Sequence, residues 1–364
     1  MKHNAFTFFA ALAVLLFSSC SDDDTPAAPI EIVIEGAAIS PEVGGSNQPN
    51  QVYIDLSTET STVVKRDSWD LGFYSGSEFQ VTINGAIYMA VAALTTTDID
   101  AVNSTTEEVI NLQPQVAIGT FQATNAAYID NPNGAITGTA IATIEDADEN
   151  NPVYLLNLGE AIATTPATTG NVKITEGDGE GKRGWKKIRI LKEGADYILQ
   201  YANLEDTTHQ EVTITKNSAY NFSYFSFTTE TMVPVEPEAT KWDLNFTIFT
   251  DIIEGFGSYG YADYVVNNTK AAVSVYMVDT AEATITYDNF TLTDINPANF
   301  LNDQRGIGST WRNGGGPSTL PSLKEDVFYV LRDTDDNYYK IKFLALTNEA
   351  GERGNPEFIY SLLQ

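Results

Sequence analysis

Short alternating runs dominate the chain. Gln51-Val-Tyr-Ile-Asp-Leu56, Phe79-Gln-Val-Thr-Ile83 and Glu31-Ile-Val-Ile-Glu35 place every second side chain on one face, the period of a β-strand. Trp69-Asp-Leu-Gly-Phe73 does the same, with Trp69, Leu71 and Phe73 on one face and Asp70 and Gly72 on the other. Asn84-Gly85, followed by Ala86 to Val91, predicts a hairpin. Residues 98–112 and 116–129 are polar and weakly periodic, suited to a short helix or long loops, and Asp130-Asn-Pro-Asn-Gly134 is a turn. Ile188 to Leu191, Tyr197 to Tyr201 and Glu211 to Thr215 predict a three-stranded meander. Val327 to Leu331, Tyr339 to Leu344 and Phe358 to Leu362 predict a second. The expectation is an all-β chain of antiparallel sheets.

The pattern repeats. Ser68-Trp-Asp-Leu-Gly-Phe73 returns as Lys241-Trp-Asp-Leu-Asn-Phe246, and each copy follows an alternating strand that ends in Thr-Glu-Thr, at 58–60 and at 229–231. Tyr88-Met89 precedes Thr97-Asp-Ile99, and Tyr276-Met277 precedes Thr293-Asp-Ile295, so the two pairs read as matching places. The offset, near 173 residues between Trp69 and Trp242, is too long for a solenoid and suits two tandem domains. The division expected is a signal peptide at 1–19, a linker at 20–30, and β domains at 31–216 and 217–364.

Charge and the N-terminus narrow the setting. A net charge of −29 excludes nucleic acid and electrostatic docking on anionic lipid. Lys2 and His3, an apolar stretch from Ala5 to Phe17, and Leu16-Phe-Ser-Ser-Cys20 resemble a bacterial lipoprotein signal. Cys20 is the only cysteine, so it is expected to carry the lipid and no intramolecular disulfide is available. Ser21-Asp-Asp-Asp24 reads either as a solvated spacer or as the export signal that places lipoproteins of the Bacteroidetes on the outer face of the outer membrane.

Candidate chemistry is sparse. His209 is the only histidine beyond the signal, with no cysteine or second histidine to complete a metal set and no Gly-x-Ser-x-Gly elbow. The acid clusters at 145–149, 176–180 and 333–336 lack calcium-loop spacing and read as solvated turns. No enzyme is expected. Met89, Met232 and Met277 are either core gap-fillers or soft thioether ligands. Glu254-Gly-Phe-Gly-Ser-Tyr-Gly-Tyr261 reads as a loop carrying Tyr259 and Tyr261, which either holds a ligand or covers a sheet edge, and Arg312 to Pro317 is a second glycine loop.

Taken together, the lipoprotein signal, the Trp-Asp-Leu-x-Phe strand, Tyr220-Asn-Phe-Ser-Tyr-Phe-Ser-Phe227 and the closing Tyr338 to Leu344 and Phe358 to Leu363 strands resemble the HmuY-type haem-binding lipoproteins of the Bacteroidetes. The resemblance spans about residues 219–364 and is weaker in the first half, which suggests a duplicated relative. It implies an all-β protein that takes haem between loops and passes it to an outer-membrane haem receptor. Family members hold iron through two histidines or through methionines. This chain departs from the histidine pattern, so the resemblance points to Met277 with Met232 or Met89, or to His209, as axial ligands. A surface module that binds glycan or protein on exposed tyrosines is the alternative.

Overall fold

The computed structural model describes residues 38–177, 181–281, 284–315 and 319–364. Cys20, the acidic run at 22–24 and the strand expected at 31–35 lie outside the described residues. The first half contains β1 (Ala38–Ile39), β2 (Asn50–Asp55), β3 (Thr60–Lys65), β4 (Leu71–Tyr74), β5 (Val81–Ile83) and β6 (Ala90–Ala93). A single-turn helix α1 (Glu107–Leu112) and irregular chain lead to β7 (Val153–Asn157), β8 (Trp185–Glu193), β9 (Asp196–Asn203) and β10 (Gln210–Ile214). The second half contains β11 (Phe222–Ser226), β12 (Thr231–Val233), β13 (Leu244–Ile253), β14 (Gly257–Asn267), β15 (Ser274–Asp279), β16 (Arg312–Asn313), β17 (Ser322–Leu323), β18 (Val327–Arg332), β19 (Tyr338–Thr347) and β20 (Arg353–Leu362).

Sheet order exposes the duplication. One five-stranded sheet runs β10-β9-β8-β7-β6 and the other β1-β20-β19-β18-β15, so β1, from the start of the chain, takes in the second sheet the place that β10 holds in the first. The four-stranded sheets run β12-β11-β4-β5 and β3-β2-β13-β14. Each therefore joins a hairpin from one half to a strand pair from the other, and the halves exchange their leading hairpins. The cores follow. Val52, Ile54 and Leu56 are buried with Leu244, Phe246, Trp311 and Phe358, whereas Phe225 and Phe227 are buried with Leu71, Phe73 and Tyr197.

The repeated Trp-Asp motif makes this exchange hold. Trp242 meets Tyr53 of β2 edge-on at 5.0 Å, and Trp69 meets Tyr224 of β11 edge-on at 4.8 Å. Asp70 accepts the Phe227 N–H at 2.6 Å, and Asp243 accepts the Leu56 N–H at 2.8 Å. In each half the carboxylate grips the backbone where the partner hairpin's first strand ends. Both hairpins then turn identically, with Glu59 at φ 56° and Glu230 at φ 54°, and threonine hydroxyls paired across the turn at 3.0 and 2.9 Å. Trp69 accordingly turns away from the Leu71–Phe73 face that alternation assigned to it and joins a separate cluster with Tyr53, Tyr224 and Trp242.

Three sequence expectations change. Asn84-Gly85 is not a hairpin, because β5 and β6 lie in different sheets. The Asn84 side chain accepts the Ala86 N–H and donates to the carbonyls of Arg66 and Trp69, which winds Gly85–Ile87 into a 3-10 turn ending at Tyr88 with φ 67°. Asn268 repeats the device ahead of Thr269–Ala271 and Ala272, φ 65°. This fixes the register, so Met89 matches Val273, and Met277 stands four residues further on, opposite Ala93 in the repeat. The Tyr-Met pairs are not equivalent. Finally, β7 adds a strand beside β8 that the alternation pattern does not announce, so the meander β8-β9-β10 corresponds to β19-β20-β1 and not to β18-β19-β20.

Candidate functional site

The stretch expected as a glycine/tyrosine loop is mostly strand. β13 and β14 form a hairpin that turns at residues 254–256, with a bulge between Thr247 and Phe249. Phe249 lies opposite Tyr261, and Asp251 opposite Tyr259, so these four share one face. A file of rings runs along it: Phe121 to Tyr259 at 6.0 Å, Tyr259 to Tyr261 at 5.2 Å, Tyr261 to Tyr264 at 6.0 Å, and Tyr264 stacked on Phe249 at 4.4 Å. Its outer end is open, with Phe121 62% and Tyr259 39% exposed. Polar groups edge the file. Asp251 accepts the Tyr264 hydroxyl at 2.9 Å and Arg305 at 3.2 Å, and Arg305 also grips Asp303 at 2.7 Å.

Phe121 holds this position at φ 54°, a conformation costly for a bulky residue and sustained only by surrounding contacts. Those contacts are the Gly119 N–H to the Ser258 carbonyl at 3.0 Å and the Ser258 N–H to Asn125 Oδ1 at 2.6 Å. Gly257, at φ 84°, makes room for them, since a Cβ there would lie 2.1 Å from Asn125 Oδ1 and 2.2 Å from the Gln122 carbonyl. Gly257→Val is expected to release the 117–125 segment, read as a rise of at least ~10-fold in its amide exchange rate while the strand cores stay protected.

Behind Phe249 a cavity of about 200 Å³ opens between the two halves. Trp69, Trp242, Tyr53 and Tyr224 wall it on one side, and the segment from Asp130 to Thr139 covers another. That segment is tied down by the Lys270 ammonium on the Gly134 carbonyl at 2.6 Å and the Gln304 amide on the Pro132 carbonyl at 3.0 Å. Asp130 accepts the Ile83 and Ala140 N–H groups at 2.9 and 2.8 Å, yet burial pushes its carboxyl up to about 6. Glu236 accepts the Phe222 N–H at 2.8 Å and is pushed by burial to about 7. Burial lowers Lys270 to about 8, against the opposing pull of Glu236 and Asp130. The connection Val233-Pro-Val-Glu-Pro-Glu238 buries Glu236 and exposes Glu238. No periodicity in the sequence marks Glu236, Asp130 or Lys270, which reach the cavity from three irregular segments.

The expected axial ligands are not brought together. Met89 is fully buried among Leu71, Ile87 and Val91, which is the gap-filling role of a core thioether. Met232 and Met277 are exposed on β12 and β15, strands of different sheets. His209 lies just before β10, its Nδ1 at 3.0 Å from Asp100 Oδ1. A haem gripped by two axial side chains needs both facing one apolar slot, and these residues do not fit that arrangement. Only Tyr259 and Tyr261, among the sequence candidates, are assembled on a common surface. The second glycine loop contributes Arg312, which is buried against the Ala262 carbonyl and Asp263. No group of three His, Cys, Asp or Glu side chains able to hold a metal ion occurs among the described residues.

Comparison with known proteins bears on both halves. The model of the HmuY protein family matches residues 47–219 and again 218–360. No curated protein matches. Similar solved structures include the apo HmuY analog of Tannerella forsythia, at 12% identity over 92% of this chain and 100% of that one, TM-score 0.24. A protein of Bacteroides vulgatus described as HmuY-like and heme binding is 11% identical over 91% and 95% of the two chains, TM-score 0.23. A lipoprotein of Bacteroides fragilis is 14% identical over 48% and 88%, TM-score 0.20.

Proposed function

Because the chain belongs to the HmuY family, a haem-binding family, and both of its halves match, we propose that it is a non-catalytic ligand-capture protein of the bacterial surface. In this reading Cys20 carries a lipid that holds the body on the outer face of the outer membrane, and an outer-membrane receptor takes the ligand onward. The ligand is a flat ring, haem or a related porphyrin, laid on the aromatic face of β13 and β14. The supporting observation is the ring file from Phe121 through Tyr259 and Tyr261, aromatic side chains exposed at its outer end where a π-faced ligand can contact them. Recognition by stacking needs no axial pair, which suits the scattered methionines.

Titration of the protein with haemin and, separately, with metal-free protoporphyrin tests this. Stacking predicts saturable binding of both with similar affinity, unchanged in His209→Ala and Met277→Ala and weakened at least ~10-fold in Tyr259→Ala/Tyr261→Ala. Binding of haemin alone, lost in Met277→Ala or His209→Ala, would return the reading to iron ligation. Binding of neither would remove porphyrin and leave a glycan on the same face, a reading favoured by the Asp251–Arg305 edge, whose fixed charges suit a ring with a hydroxylated rim.

A further inference from the structure

We propose that the cavity between the two halves is a separate binding site for a single sugar residue, an uncharged ring with hydroxyl groups around its rim. Its walls alternate aromatic faces with polar atoms that the protein leaves without partners. The indole N–H groups of Trp69 and Trp242 and the Asn245 side-chain oxygen are all buried and unpaired, and all three residues line this cavity. Buried polar atoms are nearly always satisfied, so three orphans around one space ask for a ligand that supplies both donors and acceptors. A hydroxyl is both at once. Individual waters could serve these atoms one by one, whereas a sugar ring serves them together and covers the apolar faces of Trp69, Trp242 and Phe249.

Charge argues for the same class. The cavity places Asp130 and Glu236 beside Lys270, and all three are held by neutral backbone groups: Asp130 by two N–H groups, Glu236 by the Phe222 N–H, Lys270 by the Gly134 carbonyl. Two carboxyls stand against the single Lys270 ammonium, so the cavity has no surplus positive charge to offer an anion. Phosphates and haem propionates are therefore poor occupants, and a neutral polar ring is a good one. Asn245 sits on β13 opposite Tyr53 and Val266, well down the strand from Tyr259 and Tyr261, which makes the two sites separable by mutation.

The test uses glucose, galactose and N-acetylglucosamine, each titrated into the protein while tryptophan fluorescence and the thermal midpoint are followed. At least one is expected to quench fluorescence saturably and raise the midpoint. Asn245→Leu deletes an acceptor that the protein does not use, so the free variant should melt with the parent while its sugar affinity falls at least ~10-fold. Trp242→Phe, which keeps a ring and loses the N–H, should weaken binding in the same way and serves if Asn245→Leu does not fold. No response to any of the three sugars overturns the proposal. So does sugar binding that survives both variants and disappears in Tyr259→Ala, because that places the sugar on the outer face. Neither result touches the porphyrin titration, which is read on its own.

Discussion

Asp70→Ala is expected to destabilise the protein by ~3–5 kcal/mol, the largest effect of any single polar substitution proposed for it. The Asp70 carboxylate is completely buried and has two obligations. One oxygen pairs with the Arg183 guanidinium at 2.7 Å, and the other accepts the Phe227 N–H at 2.6 Å. Truncation strands a mostly buried cation and an N–H at once, and it loosens the exchanged hairpin β11–β12 from β4. The twin position behaves differently. Asp243 accepts the Leu56 N–H but among the described residues no arginine is paired with it, and burial, reinforced by Asp55, Asp333 and Asp335, pushes it up to about 7. Asp243→Asn keeps an oxygen for Leu56 and removes the charge, so at pH 8 it should equal or exceed the parent in stability. Urea unfolding of both variants decides the matter. An Asp70→Ala protein within about 1 kcal/mol of the parent would sink the argument that this carboxylate clamps the two halves.

Stability is also expected to fall as the pH rises from about 4 to about 7, the reverse of ordinary acid denaturation. Asp243, Glu236 and Asp130 ionise in the folded protein near 7, 7 and 6, against 3.8 for free aspartate and 4.5 for free glutamate. Across that window the folded state keeps protons that the unfolded chain has already released. Folding therefore weakens with each step toward neutrality, and the loss is complete once the folded groups have ionised. Lys270 acts in the opposite sense at higher pH. Its folded value near 8 lies below the free value of 10.5, so its penalty is largest below 8 and fades as the pH climbs to 10.5. The minimum should fall near pH 7–8. A thermal midpoint at pH 5 at least ~3 °C above that at pH 7.5 is the expected result, and Asp243→Asn should shrink the difference. A midpoint that rises steadily from pH 5 to 7.5 would show that these carboxyls are better solvated than their burial implies.

The sequence by itself determined the all-β class and the duplication, because period-two alternation and a repeated Trp-Asp-Leu-x-Phe strand are local signals that need no partner to be recognised. It also marked the Tyr259–Tyr261 pair, whose i, i+2 spacing puts both rings on one face of whatever strand carries them. It could not give the use of the motif. That Trp242 packs on Tyr53, and Asp70 on the backbone of Phe227, follows from the exchange of hairpins between halves, and exchange is decided by which core each hairpin fills. Asn84-Gly85 departs from the hairpin its residues suggest because the Asn84 side chain bonds to the carbonyls of Arg66 and Trp69, contacts that carry the chain from one sheet into another. The same holds for the methionines, whose equivalence rested on neighbouring tyrosines and vanished when the Asn84 and Asn268 turns set the register. The cavity was invisible for a plainer reason. Its acids and lysine, Asp130, Glu236 and Lys270, stand far apart along the chain, and only packing the two halves against each other brings them to one cavity.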